Sequence, residues 1–349
     1  MTNKIDLVSL SYEELIKFVT DEIKAPKFRA KQLSEWIAKG ASFDEMLNLP
    51  LSLRKEIQDV AYLSYPAVAR QFTSALDGTV KFLYRMQDGE YVESVVMQYE
   101  HGYSICISTQ AGCRMGCKFC ASTIGGRVRN LLPGEILSEI LIAQKTLSIR
   151  ISNIVLMGIG EPLDNYDNVM KFLRLVNAKE GLNIGYRHIS LSTCGIVDRI
   201  YDLASEDMPL TLSISLHASD DETRSAIMPI NQKYNLDRLL CACRDYFDKT
   251  SRRISFEYTL ITGKNDSIED ARKLASLLKR YLKERPFHVN LIPVNEVAES
   301  GFKRGSKASV MNFCKELNAQ GVNATVRRTL GSDINASCGQ LRHNADKTE

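Results

Sequence analysis

The chain has 349 residues, more than one small core needs and enough for a large domain with an attachment. It is 44% hydrophobic and 25% charged, which excludes disordered, fibrous and disulfide-scaffold classes. A net charge of +3 does not by itself mark a nucleic-acid binder. No apolar run reaches the roughly 18 residues of a membrane helix, so a cytoplasmic protein without a membrane partner is expected.

The first sixty or so residues read as helices. In "SYEELIKFVTDEI", Ser11 precedes Glu14 by three, a capping-box spacing, and apolar residues then recur at helical intervals. "KFRAKQLSEWIAKG" carries Phe28, Leu33, Trp36 and Ile37 and ends at Gly40, while "LSLRKEIQDVAY" is a third helix. Between Val68 and Gln98 the period changes to two: "TVKFLYRM", a turn at Asp88-Gly89, then "YVESVVMQY", which predicts a hairpin. From Tyr103 onward strands alternate with helices: "YSICIST", "SNIVLMG", "RHISLST", "TLSISLHA", "RRISFEYTLI" and "FHVNLIPV", with "NATVRR" closing the series. Strands alternating with covering helices imply a parallel sheet, and six such units predict an α/β fold that curls into a barrel, complete or partial. The boundaries expected are a small helical domain over 1–65, a linking hairpin over 66–100, the barrel with a C-terminal strand extension over 101–342, and a tail over 343–349. Basic clusters stand at Lys24–Lys31, Arg127 and Arg129, Arg252 and Arg253, Lys303 and Arg304, and Arg327 and Arg328, where solvated surface charge and phosphate contacts are both open readings.

In barrels the chemistry gathers at the C-terminal strand ends. After the first strand comes "STQAGCRMGCKFCAST", with Cys113, Cys117 and Cys120 spaced four and three apart. Nine cysteines in a chain expected to be cytoplasmic argue for metal or redox chemistry and against a disulfide framework. Three thiolates on one loop suit a [4Fe–4S] cube with one iron left open; the alternative is zinc completed by a histidine, for which His217 is best placed. Cys194, Cys241, Cys243 and Cys314 fall in strand or helix patterns and read as small hydrophobes. The other strand ends carry "MGIGEP" (Met157–Pro162), "STCG", "SLHA" and "IPVN", and "SDINASCGQL" places Cys338 late in the chain.

The CxxxCxxC spacing with Phe119 before its last cysteine resembles the radical S-adenosylmethionine (SAM) enzymes. Together with "FRAKQLSEWI", "MGIGEPLDN", "HISLSTCG", "SISLHA", "LIPVN" and "ASCGQL", it resembles the RlmN family over about residues 9–342. That family methylates C2 of adenine in 23S rRNA and transfer RNA, at adenosine 2503 and adenosine 37. Ala111 and the run Ala121–Gly126 match its form and not that of Cfr, the C8-methylating sister family, which is the alternative reading.

The resemblance implies the partial (β/α)6 form of the barrel, and that Cys113, Cys117 and Cys120 hold a [4Fe–4S] cluster. It implies SAM contacts at Gly160, Glu161, Ser192, Ser215, Leu216, His217 and Asn295; for Glu161 a helix N-cap partner is the alternative. It makes Cys338 the methyl-carrying cysteine, since a thiolate takes a methyl from SAM by displacement where an aromatic C–H does not. A 5′-deoxyadenosyl radical then activates the S-methyl group, a protein–RNA thioether forms, Glu93 acts as proton acceptor, and Cys106 resolves the adduct through a transient disulfide with Cys338. Two SAM molecules are used per turnover. The partners implied are 23S rRNA and tRNA, contacted in part by the N-terminal helices, and a low-potential electron donor such as flavodoxin. The chain is expected to act as a monomer. A zinc-stabilised RNA-binding module and a radical SAM enzyme with another substrate are the competing classes.

Overall fold

The computed structural model describes residues 4–342, so the tail expected over 343–349 lies outside the described residues. The chain opens with a two-residue strand β1 (Ile5–Asp6) and then α1 (Tyr12–Lys17), whose capping box forms as the spacing predicts. Ser11 Oγ accepts the Glu14 N–H at 3.2 Å and Glu14 Oε2 accepts the Ser11 N–H at 2.7 Å. The helix runs on through a π-helical turn to Glu22. Two further helices, α2 (Phe28–Ile37) and α3 (Leu51–Val60), lead to β2 (Ala61–Tyr62), which pairs in parallel with β1. Leu15, Phe18, Leu33 and Ile57 are buried here, each worth about 1.5–3 kcal/mol of transfer. Lys145 joins these helices to the rest, its Nζ 2.8 Å from Glu45 and 3.1 Å from the Gly40 carbonyl.

Next come β3 (Ala67–Thr73), β4 (Val80–Arg85), β5 (Tyr91–Tyr99) and β6 (Gly102–Cys106). The expected hairpin, β4–β5, is present, and β3 extends it as a third antiparallel strand while β5 pairs antiparallel with β6. It is therefore the edge of a larger sheet. A short ribbon, β7 (Gln110–Gly112) against β8 (Arg127–Asn130), brackets the cysteine loop. Then follow α4 (Pro133–Leu147), β9 (Ile151–Leu156), α5 (Tyr166–Asn177), β10 (Ile189–Thr193), α6 (Val197–Leu203), β11 (Thr211–Ser215), α7 (Asp221–Ile227) and α8 (Leu236–Thr250). The chain continues through β12 (Ile254–Leu260), α9 (Ile268–Leu282), β13 (Phe287–Pro293), α10 (Lys307–Ala319) and β14 (Ala324–Val326).

The sheet has ten strands in the order β14-β13-β12-β11-β10-β9-β6-β5-β4-β3. From β6 to β14 every neighbour is parallel, and β14 does not pair with β6, so the α/β barrel is partial. Along the parallel strands, core and cavity residues alternate. In β12, Ile254, Phe256, Tyr258 and Leu260 are fully buried in the main core, while Glu257 and Thr259 of the opposite face line a cavity. In β10 and β11, Leu191, Leu212 and Ile214 take the core side, and Ser192 and Ser215 take the cavity side. The period-two pleat thus sends one residue set to the helices and the other into the lumen. Among the described residues no helix is long and apolar enough to cross a membrane.

Candidate functional site

The cysteine loop is held open by its ribbon. Gly112 and Gly126 adopt φ of +73°, and the Cys113 N–H donates to the Gly126 carbonyl at 3.0 Å. Thr123 Oγ1 donates to the carbonyls of Cys117 (3.2 Å) and Cys120 (2.9 Å), and the Lys118 N–H reaches the Ile227 carbonyl of α7 at 3.0 Å. Cys113, Cys117 and Cys120 consequently line one cavity of about 120 Å³ with Glu161, Ser192, Cys194, Ser215 and His217. Burial pushes the Cys113 thiol up to about 12 and raises Cys117 and Cys120 as well, with the neighbouring thiols adding to the shift at Cys117. Such thiols give up their protons to a metal and not to water.

Among the described residues, no three His, Cys, Asp or Glu side chains gather closely enough for a single metal ion. The triplet therefore suits a cluster that takes one iron per thiolate and leaves one iron to another ligand, and does not suit mononuclear zinc. His217 confirms this. It sits at a positive φ of 59°, its Nδ1 accepts the Thr259 N–H at 2.9 Å, and its ring packs edge-on against Phe119 at 4.9 Å. With Nδ1 accepting, the neutral ring's proton is on Nε2, which cannot then ligate zinc. Burial, with the Arg224 charge, holds this histidine down to about 3, so it is neutral.

A second cavity of about 120 Å³ adjoins the first. It shares Cys120, Ser192, Ser215 and His217 with it and adds Glu257, Asn295, Arg327 and Cys338. A third contains Cys106 and Cys338 together with Met97, Tyr99, Met157, Asn295 and Arg327. The three form a continuous series, from the cysteine triplet through a middle chamber whose apolar wall carries a few polar groups to the thiol pair. Cys106 and Cys338 are both free thiols, and burial raises Cys106, with Cys338 nearby adding to the shift.

The segment bearing Cys338 has no strand, and its fixed points are individual bonds. Asn295 Nδ2 donates to the Cys338 carbonyl at 2.9 Å, and the Ala121 N–H to the Gly339 carbonyl at 2.7 Å. Ser122 Oγ donates to the Leu341 carbonyl at 2.9 Å. Glu93 accepts the Arg342 N–H at 2.7 Å and pairs with Lys81 Nζ at 3.0 Å. Glu93 is buried, and burial raises its pKa against the lowering by Lys81. Two expected SAM contacts, Gly160 and Leu216, line none of these cavities. A Cβ on Gly160 would lie 2.7 Å from that of Gln110, and the Leu216 side chain is in the core, its N–H donating to the Glu257 carbonyl at 3.0 Å. Glu161 faces the first cavity and is also a structural clasp, accepting the Leu163 N–H at 3.0 Å and the Cys194 N–H at 2.7 Å.

Sequence patterns gave no sign of three charged residues. Glu257 is buried in the middle chamber, accepting from Asn290 Nδ2 at 3.0 Å. Arg327, grouped with surface basic residues, lies 3.8 Å from Glu257 in that chamber, and Arg224 is fully buried. Cys194, read as a small hydrophobe, is buried but also lines the triplet's cavity. A period-two strand with polar residues on one face was the available signal for Glu257; the arginines had none.

A partial parallel barrel with a three-thiol loop at its first strand end defines a radical SAM enzyme, and residues 107–275 match the family model described as the radical SAM superfamily. Residues 5–63 match the model for the ribosomal RNA large subunit methyltransferase N-terminal domain. A probable dual-specificity RNA methyltransferase RlmN of Clostridium botulinum is 54% identical over 99% of this chain and 98% of its own length. Its counterpart in Clostridium acetobutylicum is 54% identical over 96% of each. A crystal structure of a radical SAM methyltransferase from Sphaerobacter thermophilus is 38% identical, covers 97% of this chain and 99% of its own, and superposes with a TM-score of 0.92. The chain belongs to the RlmN family of radical SAM RNA methyltransferases. It is a transferase whose cofactors are a [4Fe–4S] cluster and SAM.

Proposed function

We propose that this protein methylates C2 of adenosine, at adenosine 2503 of 23S rRNA and adenosine 37 of tRNAs, with Cys338 as methyl carrier. The observation that carries the reading is the shared cavity of Cys338 and Cys106, two chambers from the cysteine triplet. Cys113, Cys117 and Cys120 hold the cluster, which when bound supplies the electron that splits SAM to methionine and a 5′-deoxyadenosyl radical.

The chain's own residues do the rest. Cys338, as thiolate, attacks the SAM methyl carbon, forming the S–CH₃ bond as S-adenosylhomocysteine leaves. The first two chambers orient SAM: Ser192, Ser215 and Asn295 offer hydrogen bonds to its ribose and carboxylate, and Glu161, in the triplet's cavity, an acceptor for its amino group. Gly160 and Leu216 contribute through backbone groups only. The 5′-deoxyadenosyl radical would take a hydrogen atom from the Cys338 S-methyl group, and the remaining carbon would bond to C2. The adduct's unpaired electron would return to the cluster as Glu93 takes the C2 proton. A buried carboxylate whose pKa is raised toward neutrality suits that task. Cys106 then attacks the Cys338 sulfur, leaving a disulfide and a released base that takes up a proton. RNA selection rests on phosphate contacts and on an adenine unstacked into the third cavity. The electron comes from a donor such as flavodoxin, and the protein works as a cytoplasmic monomer.

The test is anaerobic turnover of the reconstituted protein with SAM, reductant and unmethylated 23S rRNA or tRNA, read by nucleoside mass spectrometry. 2-Methyladenosine from the wild type and none from Cys338→Ala is the expected result. 8-Methyladenosine would move the chain to the Cfr chemistry, and product from Cys338→Ala would end the carrier role.

A further inference from the structure

Arg224, on α7, is among the largest side chains with no solvent exposure. All five of its N–H donors end on uncharged oxygens. Nε donates to the Leu216 carbonyl (3.0 Å), Nη1 to Asn231 Oδ1 (2.9 Å) and the Tyr234 carbonyl (3.4 Å), and Nη2 to the carbonyls of Cys194 (2.7 Å) and Ser215 (3.1 Å). No carboxylate is among its hydrogen-bond partners. Asp221, the nearest acidic influence, spends its Oδ1 on Asn231 Nδ2 (3.0 Å) and the Leu236 N–H (2.8 Å) and is itself exposed. A buried, unneutralised guanidinium is expensive unless something negative comes near it.

What comes near it is the cluster site. Cys194, whose carbonyl Arg224 holds, lines the triplet's cavity, and the strand ends that supply Ser215 and Leu216 lead into His217 on the same wall. Helix α7 is bonded to the cysteine loop through the Lys118 N–H and the Ile227 carbonyl. Cys117, Cys194, Ile227 and Met228 form one apolar cluster, so the medium between the helix of Arg224 and the cysteine loop screens charge poorly.

We propose that Arg224 is the fixed counter-charge of the iron–sulfur cluster: it stabilises the reduced, more negative form and so raises the cluster's reduction potential. This rests on Cys113, Cys117 and Cys120 as ligands, and it is independent of which RNA atom is methylated. Net charge and hydrogen bonding around a cluster are what set its potential. Arg224 is thereby a positioning residue as well, clamping the ends of β10 and β11.

The experiment is an anaerobic redox titration of the reconstituted full-length protein, following the reduced cluster by electron paramagnetic resonance in wild type, Arg224→Gln and Arg224→Lys. At the potential that half-reduces the wild type, Arg224→Gln should show a reduced-to-oxidised ratio about tenfold lower, equal to a shift of about 59 mV for one electron. Arg224→Lys, which keeps the charge and loses the fork, should stay within about threefold of wild type. Equal ratios in wild type and Arg224→Gln, or equal shifts in both variants, would overturn the proposal. If Arg224→Gln takes up no iron, Asp221→Asn decides, because loss of its negative charge must raise the ratio; an unchanged or lower ratio there overturns it. A wild-type chain that binds no cluster overturns the ligand assignment itself, and this iron assay is read first.

Discussion

Gly112→Ala should empty the cluster site while leaving the barrel folded. Gly112 has φ of +73°, where an alanine costs about 1–2 kcal/mol. Its new Cβ would also overlap the Gly126 carbonyl oxygen, which is backbone and has no rotamer to escape into. The β7–β8 ribbon must part, losing the Cys113 N–H···Gly126 bond of 3.0 Å and a neighbouring ladder bond, each about 0.5–1.5 kcal/mol. The sum, about 2–5 kcal/mol, opens the ribbon by a factor of about 30 to 4,000. Gly78→Ala is the control, because Gly78 has a nearly equal φ of +72° but nothing within 4 Å of its Cβ. Iron and labile sulfide per chain after anaerobic reconstitution, beside a circular-dichroism melt, read the difference. Full cluster loading by Gly112→Ala, or equal loss in Gly78→Ala, would refute the view that this ribbon presets the thiol loop.

Lys81→Met strips the buried Glu93 of its partner 3.0 Å away. Glu93 already titrates above its ordinary 4.5, so the folded state holds its proton more tightly than the unfolded one. Stability is then lost as pH rises from 4.5 through the folded value, and Lys81→Met should carry that loss to higher pH, seen in urea melts stepped upward from pH 4.5. The acid limb of RNA methylation should move to higher pH in the same variant; an unmoved limb would remove Glu93 as the base. Asp333→Ala frees the Cys338 segment from the β3–β4 turn, where Asp333 accepts from Ser74 Oγ at 2.7 Å and the Ala75 N–H at 2.9 Å. Iodoacetamide should label Cys338 severalfold faster with the melting temperature unchanged. The Ser74 bond holds Asp333 below its ordinary 3.8, so in the wild type this anchoring persists above 3.8 and is lost only as pH falls through the lower folded value. Ser11→Ala should cost about 1 kcal/mol in the first helix, measured by amide exchange over residues 12–17. Glu14→Ala should cost more, because that carboxylate also reaches Lys171 at 2.9 Å.

The alternation of strands and helices was legible because parallel strands and their covering helices differ in period over many residues. Ser11 with Glu14, and the triplet at Cys113, Cys117 and Cys120, were legible because their chemistry is local. The β1–β2 pairing was not, since two residues at each end of the 54-residue helical segment 7–60 carry no periodic signal. Nor was the seam between β5 and β6, which turns the hairpin into a sheet edge, because antiparallel register is set by tertiary contacts. Arg224 and Arg327 were invisible for a simpler reason. Charge in a sequence reads as surface, and the partners that receive these two side chains, the carbonyls of Cys194, Ser215 and Leu216 for Arg224 and the Glu257 carboxylate for Arg327, come together only in the fold. Glu161 shows the opposite limit, a residue whose capping and cavity-facing roles are both real and inseparable by pattern.

The parallel sheet is complete at Val326, and the segment that presents Cys338 adds no strand to it. The apparatus for holding cofactors and the arm that would hand over the methyl group are therefore separable in inheritance. Substitutions between Gly331 and Leu341 would leave every rung of the parallel sheet in place and would act instead on the bonds that tie Gly339 and Leu341 to Ala121 and Ser122 of the cysteine loop.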